Sequence, residues 1–153
     1  MVAGIVRGTT VDGPGFRTSI YLSGCNHNCF GCHNPDVKNP DYGALMSLKE
    51  IMEVVEEEDF NVTITGGDPL YNPENLKVLV NALKENGRNV WIYTGFTWEE
   101  ILQDNKLLEA VKNADTIVDG RFEITLKDPD LPFRGSSNQR IIHIKNELSG
   151  MKA

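Results

Sequence analysis

The chain has 153 residues, with 22 acidic against 15 basic side chains and a formal net charge of −7. That length suits one domain with a real core, and a 40% apolar share is ordinary for a globular protein. The acid surplus argues against wrapping of nucleic acid by counterion release, and no apolar run approaches the ~18 residues of a membrane span, so neither is an expected partner.

The opening, MVAGIVRGTTVDGPG, lacks the apolar centre and small-residue cleavage pattern of a signal peptide, and a cytoplasmic location is expected. Apolar alternation and β-branched residues predict strands over Arg17–Ser23, Asn61–Thr65, Asn89–Thr94, Asp115–Asp119 and Arg140–Lys145. Helical signals fall between them. Ser47 with Glu50 forms a capping box ahead of Leu48, Ile51, Met52 and Val55, and the run Glu56-Glu57-Glu58-Asp59 reads as its solvated end. Asn72 before Pro73 opens a second helix in which Leu76, Leu79, Val80 and Leu83 share a face, and Gly87 supplies the stop. Thr97 with Glu100 repeats the capping box for a third. Trp91 and Trp98 read as packing residues. Residues 33–46, 121–139 and the tail after Glu147 carry no assignable pattern.

Strands alternating with helices imply right-handed βαβ units and a mainly parallel sheet. The expected fold class is α/β, a partial (βα) TIM-like barrel of about five or six mainly parallel strands, in a single domain over residues 1–153. A full eight-stranded barrel needs roughly 250 residues. In such sheets ligands collect outside the carboxyl ends of the strands. Those ends run into Gly24-Cys25, Gly66-Gly67-Asp68-Pro69, Thr94-Gly95 and Asp119-Gly120-Arg121, so thiolates, glycines and charges converge on one rim.

Cys25, Cys29 and Cys32 are the only cysteines, spaced C-x3-C-x2-C within the loop 24–46. An odd number packed this tightly is unsuited to a disulfide framework and suited to a metal or cluster. Three sulfurs are one short of a closed zinc site or of the four cysteines a 4Fe-4S cluster usually has. Three readings follow: zinc completed by His27 or His33, a cluster with one open iron able to take a ligand directly, or a C-x2-C redox pair that leaves Cys25 without a role.

The spacing resembles the signature of the radical S-adenosylmethionine family, and Gly66-Gly67-Asp68-Pro69 resembles that family's glycine-rich strand-end motif. Thr10-Val11-Asp12-Gly13-Pro14-Gly15-Phe16-Arg17 and Gly31-Cys32-His33-Asn34-Pro35 resemble the opening of the glycyl radical enzyme activating proteins. Within these, SGCNHNCFGCHNP, TGGDPL, VDGRF and RGSSNQR resemble most the branch acting on anaerobic ribonucleoside-triphosphate reductase. The likeness spans essentially the whole chain, with a departure after Pro35, where Asp36-Val37-Lys38-Asn39 lacks an aromatic residue.

The resemblance implies a 4Fe-4S cluster held by Cys25, Cys29 and Cys32, with S-adenosyl-L-methionine chelating the open iron. Gly66, Gly67, Asp68 and Pro69 would hold the cofactor's methionine end, Asp68 balancing its ammonium. Thr94, Asp119, Arg121, His33 and Asn34 are the further cofactor contacts implied. Each also has a plainer reading: a strand exit for Thr94, an acid–base pair for Asp119 and Arg121, loop capping for His33 and Asn34. Asp12, Gly13, Pro14 and Gly15, in the turn 10–17, would face the partner. The implied activity is reductive cleavage of S-adenosylmethionine to generate a glycyl radical on the large subunit of the reductase, with an electron from a donor such as flavodoxin. No side chain is expected to act catalytically beyond the cluster and cofactor, and so short a chain leaves its barrel mouth for the partner to close. The alternatives are an activase of another glycyl radical enzyme, such as pyruvate formate-lyase, and a non-catalytic Cys3His zinc-binding adaptor.

Overall fold

The structure is a computed structural model that describes residues 2–9, 14–23, 46–66, 68–120, 126, 138–145 and 147. Six strands form one sheet in the order of the chain: β1 (Val2–Thr9), β2 (Arg17–Leu22), β3 (Asn61–Gly66), β4 (Val90–Tyr93), β5 (Thr116–Asp119) and β6 (Arg140–His143). β2 through β5 pair parallel, while β1 and β6 run antiparallel at the two edges. The expectation of an α/β fold with about five or six mainly parallel strands therefore holds. β1 and β6 remain edges, so the sheet is open and does not close into a barrel.

Helices α1 (Leu48–Glu58), α2 (Pro73–Glu85), α3 (Trp98–Gln103) and α4 (Asn105–Val111) occupy the crossovers between parallel strands. Three starts are fixed by the side chains the sequence offered: Ser47, Asn72 and Thr97 accept from the amides of Glu50, Asn75 and Glu100. Thr97 and Glu100 complete a reciprocal capping box, each cap being worth ~1 kcal/mol. At the end of α2, Gly87 at φ 80 lets its own N–H reach Lys84 O and that of Arg88 reach Leu83 O, which seals the last turn.

Register sorts the sheet's two faces. Ile20, Ile64 and Ile92 stand in one row, continued by Ile117 and Ile142, and they pack with Ile51 and Val55 of α1, Leu76, Leu79, Val80 and Leu83 of α2, and Ile101 and Leu107 of the last two helices. Each such aliphatic side chain contributes ~1.5–3 kcal/mol on burial. The alternate positions Ser19, Thr63, Trp91 and Thr116 face the other way, so the side away from the helical core is hydroxyl-rich. Trp91 and Trp98 are both buried, as packing residues should be.

Two elements escape the sequence patterns. β1 is interrupted by Gly4 and Gly8, where its register with β2 shifts, which blurs its alternation. α4 follows α3 after the single residue Asp104, whose side chain accepts from the Lys106 amide.

Candidate functional site: the carboxyl ends of the parallel strands

The four parallel strands all finish on one edge, so Ser23, Gly66, Thr94 and Gly120 form its rim. Cys25, Cys29, Cys32, His33, Asn34, Gly67, Arg121, Asp12 and Gly13 lie outside the described residues. Gly66, Asp68, Pro69, Thr94, Asp119, Pro14 and Gly15 are described, and the first five of these sit at the rim.

Gly66 pairs with Leu22, the last residue of β2. It adopts φ 126, and a Cβ built on it would stand 2.1 Å from Leu22 O and 2.4 Å from Leu22 N. Only glycine fits there. The glycine turn therefore begins against the backbone of the strand that leads, three residues later, to Cys25.

Asp68 is 1% exposed. Its Oδ1 accepts from the Leu70 amide at 2.9 Å, its Oδ2 accepts from the Gly95 amide at 2.9 Å, and the Thr94 hydroxyl lies 2.8 and 3.0 Å from the two oxygens. This carboxylate caps the 3-10 turn Pro69–Tyr71 and ties the end of β3 to the end of β4. Thr94 Oγ1 also accepts from the Phe96 amide at 3.2 Å.

Asp119, likewise 1% exposed, accepts from the Trp98 amide at 2.9 Å, from the Arg140 amide at 3.0 Å and from the Arg140 guanidinium, whose Nη2 stands 2.6 Å away. The acid–base pair at this strand end is thus Asp119–Arg140, with Arg140 also reaching Glu99 Oε2 at 2.6 Å. Hydrogen bonds that it donates, first to Glu99 and then to Asp119, hold the Arg140 guanidinium above its ordinary value, and Arg140 in turn holds the Glu99 carboxyl below its own.

A buried group that the sequence reading passed over stands at the opposite edge. Arg17, 1% exposed at the start of β2, donates to Thr63 Oγ1, Val62 O, Asn89 O and Oδ1, and Pro14 O, and its guanidinium lies 5.7 Å from the Trp91 ring centre. Burial pulls it down to about 10, opposed by Asp115 and Tyr93. An arginine opening an otherwise buried strand was the available signal. Arg17 fixes Pro14, so Pro14 and Gly15 lie one six-residue strand, ~20 Å, from the rim.

A cavity of about 360 Å³ opens between the end of β2 and the starts of α1 and α2, bordered by Ser23, Met46, Asp68, Pro69 and Tyr71. Ser23 and Met46 flank the cysteine-bearing segment. Among the described residues no three His, Cys, Asp or Glu side chains gather as metal ligands, and no helix is long and apolar enough to cross a membrane.

The sequence profile of the 4Fe-4S single cluster domain family matches residues 11–142. The chain is 37% identical over 139 residues to the anaerobic ribonucleoside-triphosphate reductase-activating protein of Enterobacteria phage T4, covering 86% of each. It is 33% identical over 147 residues to the protein of the same name from Escherichia coli strain K12, covering 88% of this chain and 93% of that one. In fold it is similar to the crystal structure of QueE from Escherichia coli, with a TM-score of 0.52, 19% identity, and coverage of 77% of this chain and 68% of that one. The profile covers most of the chain and the named relatives are matched nearly end to end, so the chain belongs to the 4Fe-4S single cluster domain family and, within it, to the anaerobic ribonucleoside-triphosphate reductase-activating proteins.

Proposed function

We propose that this protein is a radical S-adenosylmethionine enzyme that installs the glycyl radical on anaerobic ribonucleoside-triphosphate reductase. The observation that carries the reading is the Leu22–Gly66 contact, which sets the glycine turn against the strand leading into the three cysteines. The donor set fits a cluster with an open iron, since Cys25, Cys29 and Cys32 supply three thiolates and leave one metal position for an outside ligand. When bound, the cluster and S-adenosylmethionine supply one-electron cleavage of the sulfonium and a 5'-deoxyadenosyl radical that takes a hydrogen atom from a glycine of the reductase.

The chain's own residues bind and orient. Gly66 and Gly67 offer backbone without side chains to the methionine end, beside Asp68 and Pro69. Thr94 and Asp119 at the ends of β4 and β5, together with Arg121, His33 and Asn34, are the further cofactor contacts that the family resemblance implies. We read the open sheet as a partial barrel whose hydroxyl-lined side, with Ser19, Thr63 and Thr116, faces the reacting centre. The reductase roofs the mouth and excludes water. Asp12, Gly13, Pro14 and Gly15 meet it at the far end of β2, which requires a partner surface running along the β1–β2 edge. A reducing cytoplasm suits three free thiolates, and the electron comes from a small carrier such as flavodoxin.

Mixing the reduced, cluster-loaded protein and S-adenosylmethionine with the reductase should give the glycyl doublet in electron paramagnetic resonance. A doublet on pyruvate formate-lyase instead moves the assignment to that partner, and colourless protein with one zinc per chain ends it.

A further inference from the structure

The segment from Thr94 to Trp98, between the ends of β4 and α3, has every backbone N–H engaged. Thr94 N donates to Val118 O at 3.1 Å, Gly95 N to Asp68 Oδ2 at 2.9 Å, Phe96 N to Thr94 Oγ1 at 3.2 Å, Thr97 N to Glu100 Oε1 at 3.1 Å, and Trp98 N to Asp119 Oδ2 at 2.9 Å. Gly120 N adds a bond to Phe96 O at 3.0 Å. Two buried carboxylates from the flanking strand ends therefore hold this loop from both sides. The Thr94 hydroxyl has one proton to give, and it goes to Asp68.

We propose that Asp68 is a positioning residue rather than the counter-ion of the cofactor's ammonium: its carboxylate clamps the glycine turn of β3 to the Thr94-Gly95 exit of β4, and that clamp presets the backbone which receives the methionine end. Asp68 already takes two amides and a hydroxyl in a site closed to solvent, so redirecting it to a ligand would orphan buried donors, a cost comparable to what an added ion pair returns. The same accounting removes Thr94 as a donor to the methionine carboxylate. With all five of these N–H groups engaged, the loop has none left to offer an anion. This deepens the reading above and rests on the β3 end meeting the cofactor.

The test uses Asp68→Asn, Thr94→Val, Thr94→Ser and the Asp68→Asn/Thr94→Val double variant. Urea unfolding of the cluster-free chain reads the clamp alone. Each of Asp68→Asn and Thr94→Val should lower the folding constant roughly tenfold or more, since the Asn amide opposes the Gly95 N–H and Val removes both hydroxyl bonds. The double variant should be little worse than the poorer single one, and Thr94→Ser should restore most of the loss. In reduced, cluster-loaded protein, the S-adenosylmethionine concentration that shifts the cluster's paramagnetic resonance should rise by similar factors in Asp68→Asn and Thr94→Val, and not in Thr94→Ser. Additive unfolding effects overturn the clamp. Weakened cofactor binding in Asp68→Asn but not in Thr94→Val, or coupling without change in cofactor binding, overturns the positioning role. Wild-type protein with an intact cluster and no response to S-adenosylmethionine fails the functional reading instead, and the unfolding cycle still judges the clamp.

Discussion

Replacing Gly66 with alanine tests whether the glycine turn is seated on β2. At φ 126 an alanine carries backbone strain of ~1–3 kcal/mol. Its Cβ would meet Leu22 O at 2.1 Å, Leu22 N at 2.4 Å and Leu22 C at 2.9 Å, all backbone atoms of a paired strand that have no rotamer to escape into. Relief requires β2 and β3 to part at their ends, with an overpacking cost of ~1–3 kcal/mol and a weakened ladder bond of ~0.5–1.5 kcal/mol. The sum, ~2.5–7.5 kcal/mol, is a large share of the 5–15 kcal/mol typical of a folded domain. Gly120→Ala is the control: its φ of 91 brings similar strain, but its nearest neighbours stand at 3.7 Å. Urea unfolding of the cluster-free chain should place Gly66→Ala at least ~1.5 kcal/mol below Gly120→Ala, the difference being the clash and the weakened ladder bond. Equal losses in the two variants would falsify the seating of the turn. Because the parted strand leads into the cysteine segment, Gly66→Ala should also retain less iron after anaerobic reconstitution.

Further outcomes follow from single groups. The buried Thr18 hydroxyl has no hydrogen-bond partner among the described residues, so Thr18→Val should raise stability by ~1 kcal/mol, and a loss of that size would mean that the hydroxyl is in use. Arg17→Met strands the acceptors at Val62, Asn89 and Pro14 and should cost ~3 kcal/mol or more in thermal or urea unfolding. Burial lowers the folded-state value of Arg17 to about 10, so its penalty is relieved only as pH climbs above that; at neutral pH it is charged in both states, and wild type and variant should show the same stability slope there. Glu99 is held below its ordinary value by Arg140, so its contribution is present above the unfolded value and lost as pH falls through the folded one. Glu99→Gln should cost under ~1 kcal/mol at pH 7, the range for an exposed pair, and nothing in strong acid; a loss that persists in acid contradicts the pairing.

Much of this architecture was written in local patterns. The four interior strands and three helices follow from alternation, from Leu76, Leu79, Val80 and Leu83 on one face, and from side-chain caps that the chain uses as read. The strand-end rim was legible for the same reason, since parallel strands must all finish on one edge. β1 was not, because Gly4 and Gly8 interrupt its period and its partner is set by tertiary pairing. A repeating βα pattern does not reveal that the edge strands run antiparallel. The residue types at the rim were legible while their partners were not. Asp68 turns to Thr94 and Gly95, and Asp119 to Arg140, 21 positions further along the chain, contacts that no local spacing encodes.

The central claim is an iron with no ligand from this chain, lying where the glycine turn can present an amino acid to it. The most direct measurement is electron–nuclear double resonance on the reduced, cluster-loaded protein with S-adenosylmethionine labelled with nitrogen-15 in its amino group and oxygen-17 in its carboxylate. Hyperfine coupling of both labels to the cluster is the predicted result. A four-iron cluster that shows neither coupling at saturating cofactor contradicts the account.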